Sequence, residues 1–290
     1  MTTSIEFSEL ALVTGSSSGI GRATAQRLAA DGFHVLAGVR SSSDGEKIAA
    51  EHIEPVILDV TNDEHIASVV ERVVNDPERR PLRALINNAG IAINAPIEVL
   101  TLNDWRRQFD VSVFGQIAIT RALLPALLES RGRIVNITSV GGRIAMANYG
   151  AYSAAKFAME AVSDSLRREV QDFGVDVIKV TPGAVSTNLT DSGLATSDRI
   201  VETMTPGQHT RYDELTKAFV AQAEGFARDG ATPEHAAGVI SRAVTARRPK
   251  TRYTIGRDGA MFTGMSRIAS DRFLDGVLRS QNKSLAKSKG

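Results

Sequence analysis

Tyr152 and Lys156 stand four residues apart, a spacing that puts both side chains on one face of a helix. That pairing can do proton chemistry. An unassisted phenol titrates near about 10 and is a poor base at neutral pH. An ammonium about 4 Å away, at an effective dielectric of about 20, contributes roughly 4 kcal/mol, or about three pKa units. The spacing therefore predicts a phenol drawn into the range of a general acid–base group. Ser139 stands at the tip of a strand-like segment that ends Asn136-Ile137-Thr138-Ser139 and could hydrogen-bond a substrate oxygen. Tyr149 has no lysine four residues on and reads as a packing residue.

A second constellation lies near the N-terminus: Thr14-Gly15-Ser16-Ser17-Ser18-Gly19-Ile20-Gly21. It follows the apolar run Leu10–Val13 and precedes a helix-like stretch to Ala30. A strand, a glycine turn and a helix N-terminus in succession build a pyrophosphate site, with backbone N–H groups and the helix dipole facing the anion. Ser17, Ser18 and Ile20 share that turn with the three glycines. Dinucleotide recognition then turns on the residues about 20 positions later. An acid there accepts ribose hydroxyls, and an arginine favours a 2′-phosphate. No Asp or Glu occurs from Gly32 through Ser43, Val39 stands where the acid would, and Arg40 follows it. A guanidinium pairs with phosphate bidentately, and Ser41, Ser42 and Ser43 could add hydrogen bonds. NADP(H) is expected over NAD(H).

These groups need a scaffold. Leu10–Val13, His34–Gly38, Pro55–Leu58, Ala84–Asn87, Arg133–Ile137, Asp176–Val180 and Arg252–Ile255 read as strands, and most are continuous apolar runs, as expected for strands covered on both faces. Helical periodicity falls between them at Gly21–Ala30, Asn62–Val74, Leu102–Leu128, Tyr149–Phe173 and Pro233–Thr245. Such alternation predicts an α/β fold, a doubly wound parallel sheet of Rossmann type with about seven strands and helices on both faces. Ligands of such sheets bind beyond the carboxyl ends of the strands.

Residues 184–231 carry no strand and are rich in Ser, Thr, Gly and Asp, with a helical piece near Tyr212–Ala227; a lid over a ligand is the expected role. Met261, Phe262, Met265, Ile268, Phe273, Leu274, Val277 and Leu278 suit one or two short amphipathic helices, and the tail from Gln281 is expected to be unstructured. The whole chain, 1–290, reads as one domain with a core at 8–257, the lid, and an extension at 258–290.

Composition narrows the function. With 42% apolar and 23% charged residues, the chain is of ordinary globular type. A net charge of +1 gives no field to draw nucleic acid or anionic membrane. The absence of cysteine removes disulfides and thiolate chemistry, and the five scattered histidines predict no catalytic metal. There is no signal-peptide pattern at Met1–Glu6 and no uninterrupted apolar run near the roughly 18 residues of a membrane span. A cytoplasmic protein without a transmembrane segment is expected.

Taken together, these motifs resemble the short-chain dehydrogenases/reductases over about residues 8–257. Thr14–Gly21 is similar to that family's cofactor turn, and Asn87-Asn88-Ala89-Gly90 to its segment after strand four. Asp59-Val60 resembles the pair that contacts adenine, and Pro182-Gly183-Ala184-Val185-Ser186-Thr187 the segment beside the nicotinamide. Ser139, Tyr152 and Lys156 fall on its catalytic positions. The resemblance implies hydride transfer between a nicotinamide and a carbonyl carbon. Tyr152 would exchange the proton, Ser139 would orient the carbonyl, and Lys156 would hold the nicotinamide ribose. The neighbourhoods Ser139-Val140-Gly141-Gly142 and Lys156-Phe157-Ala158-Met159-Glu160 are similar to hydroxysteroid and retinol dehydrogenase-like members. They imply a lipophilic alcohol or ketone, and Leu189, Leu194, Ile200 and Met204 in the lid agree.

One position departs from the family. Asp110-Val111-Ser112-Val113-Phe114-Gly115 places Ser112 where an asparagine usually helps hold a water on the proton path to the lysine. Serine is shorter and offers one donor instead of two. A second reading follows, a cofactor-binding sensor or scaffold of the same fold with impaired turnover. Homo-oligomerisation, as a dimer or tetramer, is expected through the two long helices, which carry more apolar residues than one buried stripe needs.

Overall fold

The computed structural model describes residues 8–256, 261, 264 and 269–287. All seven expected strands form: β1 Glu9–Val13, β2 Phe33–Val39, β3 Ile53–Ile57, β4 Leu82–Asn87, β5 Arg133–Ile137, β6 Asp176–Pro182 and β7 Arg252–Ile255. They make one parallel sheet in the order β3-β2-β1-β4-β5-β6-β7. The chain leaves β1 in one direction and returns beside it as β4. That reversal opens a crevice at the carboxyl ends of β1 and β4.

The helices are α1 Gly19–Ala30, α2 Ser42–Ile48, α3 Asp63–Val74, α4 Leu102–Phe109, α5 Gly115–Ser130, α6 Gly150–Val170, α7 Asn188–Val201, α8 Pro206–Asp229, α9 Pro233–Thr245 and α10 Asp271–Lys287. Alternate residues of each strand feed opposite layers. Ala11 and Val13 pack with α1 and α9 through Leu28, Val239 and Ile240, while Leu10 and Leu12 pack with α3 and α5 through Ile66, Val69, Ile119 and Leu123. Most of the strands read as apolar runs without alternation because both of these layers are apolar.

Four elements differ from expectation. The stretch at Leu102–Leu128 is not one regular helix, since Asp110–Phe114 forms a π turn between α4 and α5. Helix α2 was hidden in a serine run; Ser41 caps it by accepting from Asp44 N at 3.2 Å, and only Gly45 and Ile48 face inward. Within the lid segment, α7 was also hidden, because its fully buried positions are Gly193 and Ser197 and it has no apolar stripe. The tail from Gln281 is helical to Lys287, not unstructured: α10 packs on α8 and buries Ala286. Phe262, Met265 and Ile268 lie outside the described residues.

Among the described residues, the helical stretch Leu102–Ser130 is long and apolar enough to cross a membrane by length and composition. Its apolar side chains have another use here. Ile119, Leu123 and Leu127 are fully covered by the sheet and its neighbouring helices.

Candidate active site

The glycine turn is shaped by contacts that only glycine permits. Gly15 and Gly19 hold φ of +68° and +54°, in the left-handed region. A Cβ on Gly21 would lie 2.2 Å from the Gly15 carbonyl oxygen and 2.5 Å from Asn88 Nδ2. The turn is bolted to the loop after β4. Thr14 Oγ1 accepts from Asn88 N at 3.0 Å and Ala89 N at 2.9 Å, and Asn88 Nδ2 donates to the Thr14 and Gly15 carbonyls, each at 3.0 Å. Helix α1 begins at Ser18 with no side chain capping its N–H groups, so those donors remain for an anion.

A cavity of about 580 Å³ runs along the strand ends. Gly15, Ser17, Ser18, Gly19, Ile20, Arg40, Asp59, Val60, Asn88, Ala89, Gly90, Ser139, Tyr152, Lys156, Pro182, Gly183, Val185 and Thr187 all line it. Two expected residues do not. Gly21 packs beneath the turn, and its service is to leave room for Gly15 and Asn88. Ser112 sits behind Gly90, fully buried on the π turn, where its Oγ accepts from Gln108 Nε2 at 2.9 Å and Ile91 N at 3.3 Å. Of the Val39–Ser43 segment, only Val39 and Arg40 reach the cavity; Ser41 is engaged in capping α2.

At the other end, Ser139 follows β5 and accepts from Gly141 N at 3.1 Å. Glycines at 141 and 142 let this turn lie against α6. A Cβ on either would stand 3.0 Å from Tyr152 Cε1 or 2.9 Å from the Lys156 carbonyl oxygen. Lys156 is 6% exposed, donates from Nζ to the Ile137 carbonyl at 2.8 Å, and lies 5.8 Å from the Tyr152 ring centroid. Tyr149 and Tyr152 meet edge to face at 6.2 Å, and Phe219 of α8 closes on Tyr149 at 5.2 Å.

The profile of the short chain dehydrogenase family matches residues 9–197. The chain belongs to the short-chain dehydrogenase/reductase family. It is 37% identical over 265 residues to 3-amino-tetrahydro-pyrrolizinone reductase of Xenorhabdus hominickii, covering 91% of this chain and 92% of that one. It is also 37% identical over 275 residues to retinol dehydrogenase 5 of Mus musculus, covering 92% and 86%. A solved short-chain dehydrogenase from Streptomyces avermitilis is 31% identical with a TM-score of 0.75, covering 98% and 97%. The fold is one that binds NAD(P), and the chain is an oxidoreductase of the alcohol–ketone class.

Electrostatics in this short-chain dehydrogenase differ from the simple lysine argument. Burial pushes the Tyr152 phenol up from its ordinary value, and the Ser139 hydroxyl acts in the opposite direction. Burial also lowers the Lys156 ammonium, to about 8. With Nζ turned to Ile137, desolvation outweighs the expected drop in the phenol. Partial burial is the largest single influence on Asp59 and acts to raise its carboxyl, but the two hydrogen bonds from Thr61 with the charges of Arg40 and His65 together outweigh it and hold the carboxyl below the usual range.

Behind the site, Glu160 lies one turn beyond Lys156. Its carboxylate receives Arg252 Nη1 at 2.7 Å and a second bond from Nη2, with Lys179 Nζ at 3.4 Å. Arg252 also donates to Thr181 Oγ1 at 2.7 Å, and Thr181 shares a hydroxyl contact of 3.1 Å with Thr138, the neighbour of Ser139. Sequence reasoning did not find this chain of contacts, nor that Tyr149 and Asn94 line the cavity. The four-residue step from Lys156 to Glu160 was the available signal.

Proposed function

We propose that this short-chain dehydrogenase is an NADP(H)-dependent ketoreductase or alcohol dehydrogenase acting on a lipophilic alcohol or carbonyl compound. The observation carrying this reading is a single cavity lined by the glycine turn and Arg40 at one end and by Ser139, Tyr152 and Lys156 at the other. The cradle fits a dinucleotide: Gly15 and Gly19 hold the turn in a left-handed conformation along the cavity, and the α1 N–H groups are left uncapped by any side chain.

A bound nicotinamide dinucleotide supplies the hydride chemistry. Gly15, Ser17, Ser18, Gly19 and Ile20 would hold its pyrophosphate through the turn and the helix dipole. Arg40 would pair with a 2′-phosphate, Asp59 and Val60 would border the adenine, and Asn88-Ala89-Gly90 would floor the ribose. Pro182, Gly183, Val185 and Thr187 would flank the nicotinamide. Tyr152, its proton held firmly by burial, donates that proton to the developing alkoxide oxygen of a reduced ketone. Ser139 donates to the same oxygen and fixes it. Lys156 would bind the ribose and stabilise the phenolate left after transfer, with Ser112 and a water behind Gly90 returning the proton.

Leu189, Ile144, Met146, Phe219 and Phe226 make the far wall apolar, which supports a lipophilic substrate. Retinol dehydrogenase 5, by its name, acts on such an alcohol. Phe114 and Phe157, 59% and 44% exposed on the two long helical stretches, support a homo-oligomer, testable by light scattering. The reading carries a cytoplasmic site of action, testable by fractionation.

The deciding experiment is NADPH consumption with a panel of lipophilic ketones, compared with Tyr152→Phe. Turnover by the wild type that is lost in the variant is expected. Tight NADPH binding with no turnover across the panel would instead favour the sensor reading raised by Ser112.

A further inference from the structure

Helix α10 has no part in the chemistry above. It packs on α8, the second helix of the lid, and turns its remaining sides to solvent. Successive helical residues step by about 100°, so the side on which each residue stands follows from its number. Leu274, Leu278 and Leu285 are half-buried and share the side against α8.

The exposed sides are sorted by chemistry. Arg272, Arg279, Lys283 and Lys287 are all exposed and fall within an arc of about 80°. Phe273 and Val277 stand beside that arc, 59% and 39% exposed. Asp271 and Asp275 lie on its other side. Among the described residues none of the four cations forms an ion pair, and Asp213, Glu214 and Asp229 of α8 pair with His209, Lys217 and Arg228 of their own helix. The whole chain has a net charge of only +1, so this cationic face is a local feature of α10.

We propose that this face of α10 docks the protein peripherally on an anionic lipid surface. Headgroup phosphates meet the cations, and Phe273 and Val277 enter the boundary with the acyl chains. Duplex nucleic acid would use the cations but leave Phe273 and Val277 in water. A second copy of the same face would set like charges against each other. Helix α8 lines the cavity through Phe219, Ala223 and Phe226, so docking brings the lid beside the phase in which apolar compounds collect. The proposal concerns binding alone and stands apart from the reaction chemistry.

Co-sedimentation of the full chain with vesicles tests it, using phosphatidylcholine alone and phosphatidylcholine with about 30% phosphatidylglycerol. Wild type should bind the anionic vesicles at least about tenfold more tightly than the neutral ones, and the preference should shrink as salt rises from about 0.1 M to about 0.5 M. Arg279→Gln/Lys283→Gln should weaken binding to the anionic vesicles by about tenfold to thirtyfold, at about fivefold for each cation. Phe273→Ser should weaken it by about fivefold or more, because an apolar ring no longer leaves water. These positions are exposed, and circular dichroism checks that the variants keep their helices. Phe273→Trp supplies a second measurement: its added fluorescence should shift to the blue with anionic vesicles and stay unshifted with neutral ones.

A wild type that stays in the supernatant with anionic vesicles overturns the proposal, as does equal binding to both vesicle types. Arg279→Gln/Lys283→Gln binding like wild type overturns it too. Capture by short duplex DNA that Phe273→Ser leaves unchanged, with no vesicle binding, assigns the face to nucleic acid instead. An oligomer present without lipid and lost in Phe273→Ser, again with no vesicle binding, assigns it to a second copy, and either result refutes the lipid reading.

Discussion

Replacing Lys156 by methionine should make the protein more stable at neutral pH while removing its catalytic competence. Burial lowers the ammonium from an ordinary 10.5 to about 8. One pKa unit corresponds to about 1.4 kcal/mol, so keeping the charge inside the fold near pH 7 costs about 3 kcal/mol. Methionine fills similar space without charge. It also withdraws the donor that reaches the Ile137 carbonyl at 2.8 Å, a loss of about 1–2 kcal/mol. The net expectation is a gain of about 1–2 kcal/mol, or about 2–4 °C in midpoint for a chain of this size.

The pH dependence gives the prediction its edge. The folded lysine releases its proton before the unfolded one does, so between about pH 8 and pH 10.5 the unfolded chain binds more protons and wild-type stability rises with pH. Below about pH 8 the penalty is present in full. Lys156→Met should thus melt above wild type near pH 7, and the gap should close or reverse near about pH 10. Thermal unfolding of the dinucleotide-free proteins, followed by circular dichroism, reads both. A variant no more stable than wild type at pH 7, or a gap that ignores pH, would refute the claim that desolvation dominates at Lys156.

Two glycines should respond to alanine in opposite directions. Gly21→Ala drives a Cβ to 2.2 Å from a backbone oxygen, and dinucleotide affinity should fall by more than about tenfold with a stability loss of about 1–3 kcal/mol. Gly238→Ala in α9 meets nothing within 4 Å and should gain up to about 1 kcal/mol; fluorescence titration and melting curves check both. Arg252→Leu removes both guanidinium hydrogen bonds from the buried Glu160 carboxylate and leaves it Lys179 at 3.4 Å and Arg143 at 3.8 Å; the loss should be about 1–3 kcal/mol in urea unfolding, with part of it recovered in the Glu160→Leu/Arg252→Leu double variant. Burial alone would raise the Glu160 carboxyl, but Arg252 and Lys179 hold it low. Its contribution is therefore present at neutral pH and lost on acidification, and the double variant should show a flatter acid limb. Arg40→Leu should weaken NADPH binding by more than about tenfold while changing NADH little; equal losses in a titration would reverse the cofactor assignment.

The sheet was legible because its strands are covered on both faces, so Leu10–Val13 had to be apolar without alternation, and Arg133–Ile137 departs from that only at Arg133 and Asn136. The glycine turn was legible because a backbone requirement maps onto one residue type: no other side chain fits Gly21. Proton affinities were not. The four-residue step from Tyr152 to Lys156 correctly puts the two side chains together, but the size of the desolvation depends on what Ile137, Gly141 and Gly142 bring around them. Helix α7 escaped because its buried positions are the small residues Gly193 and Ser197, with Ile200 only partly buried against Ile93 and Leu100. The α10 tail escaped because its lysines face outward while Ala286 turns toward α8.

The serine at 112 makes more sense as part of a ladder than as a lone replacement. Gln108, Ser112, Gln116 and Thr120 recur every four residues, and each bonds the chain leaving β4. Gln108 takes Ile93 N and the Ile91 carbonyl, Ser112 takes Ile91 N, Gln116 Nε2 reaches the Ala89 carbonyl at 2.7 Å, and Thr120 receives Asn87 Nδ2 at 2.8 Å. Four residues of helix rise about 6 Å, close to the advance of two residues of extended chain at about 6.6 Å, so the two spacings stay in step. An unbroken α-helix would rotate such a row by about 40° at each rung and carry it off the contact. The π turn at Asp110–Phe114 winds more residues into one turn and draws the row back. Ser112 sits at the middle of that turn, accepting from Gln108 and Ile91. The Cβ position of Gly90 lies 3.6 Å from Ser112 Oγ and 3.9 Å from Lys156 Nζ. Serine with a glutamine one turn earlier thus holds the loop after β4 through two side chains.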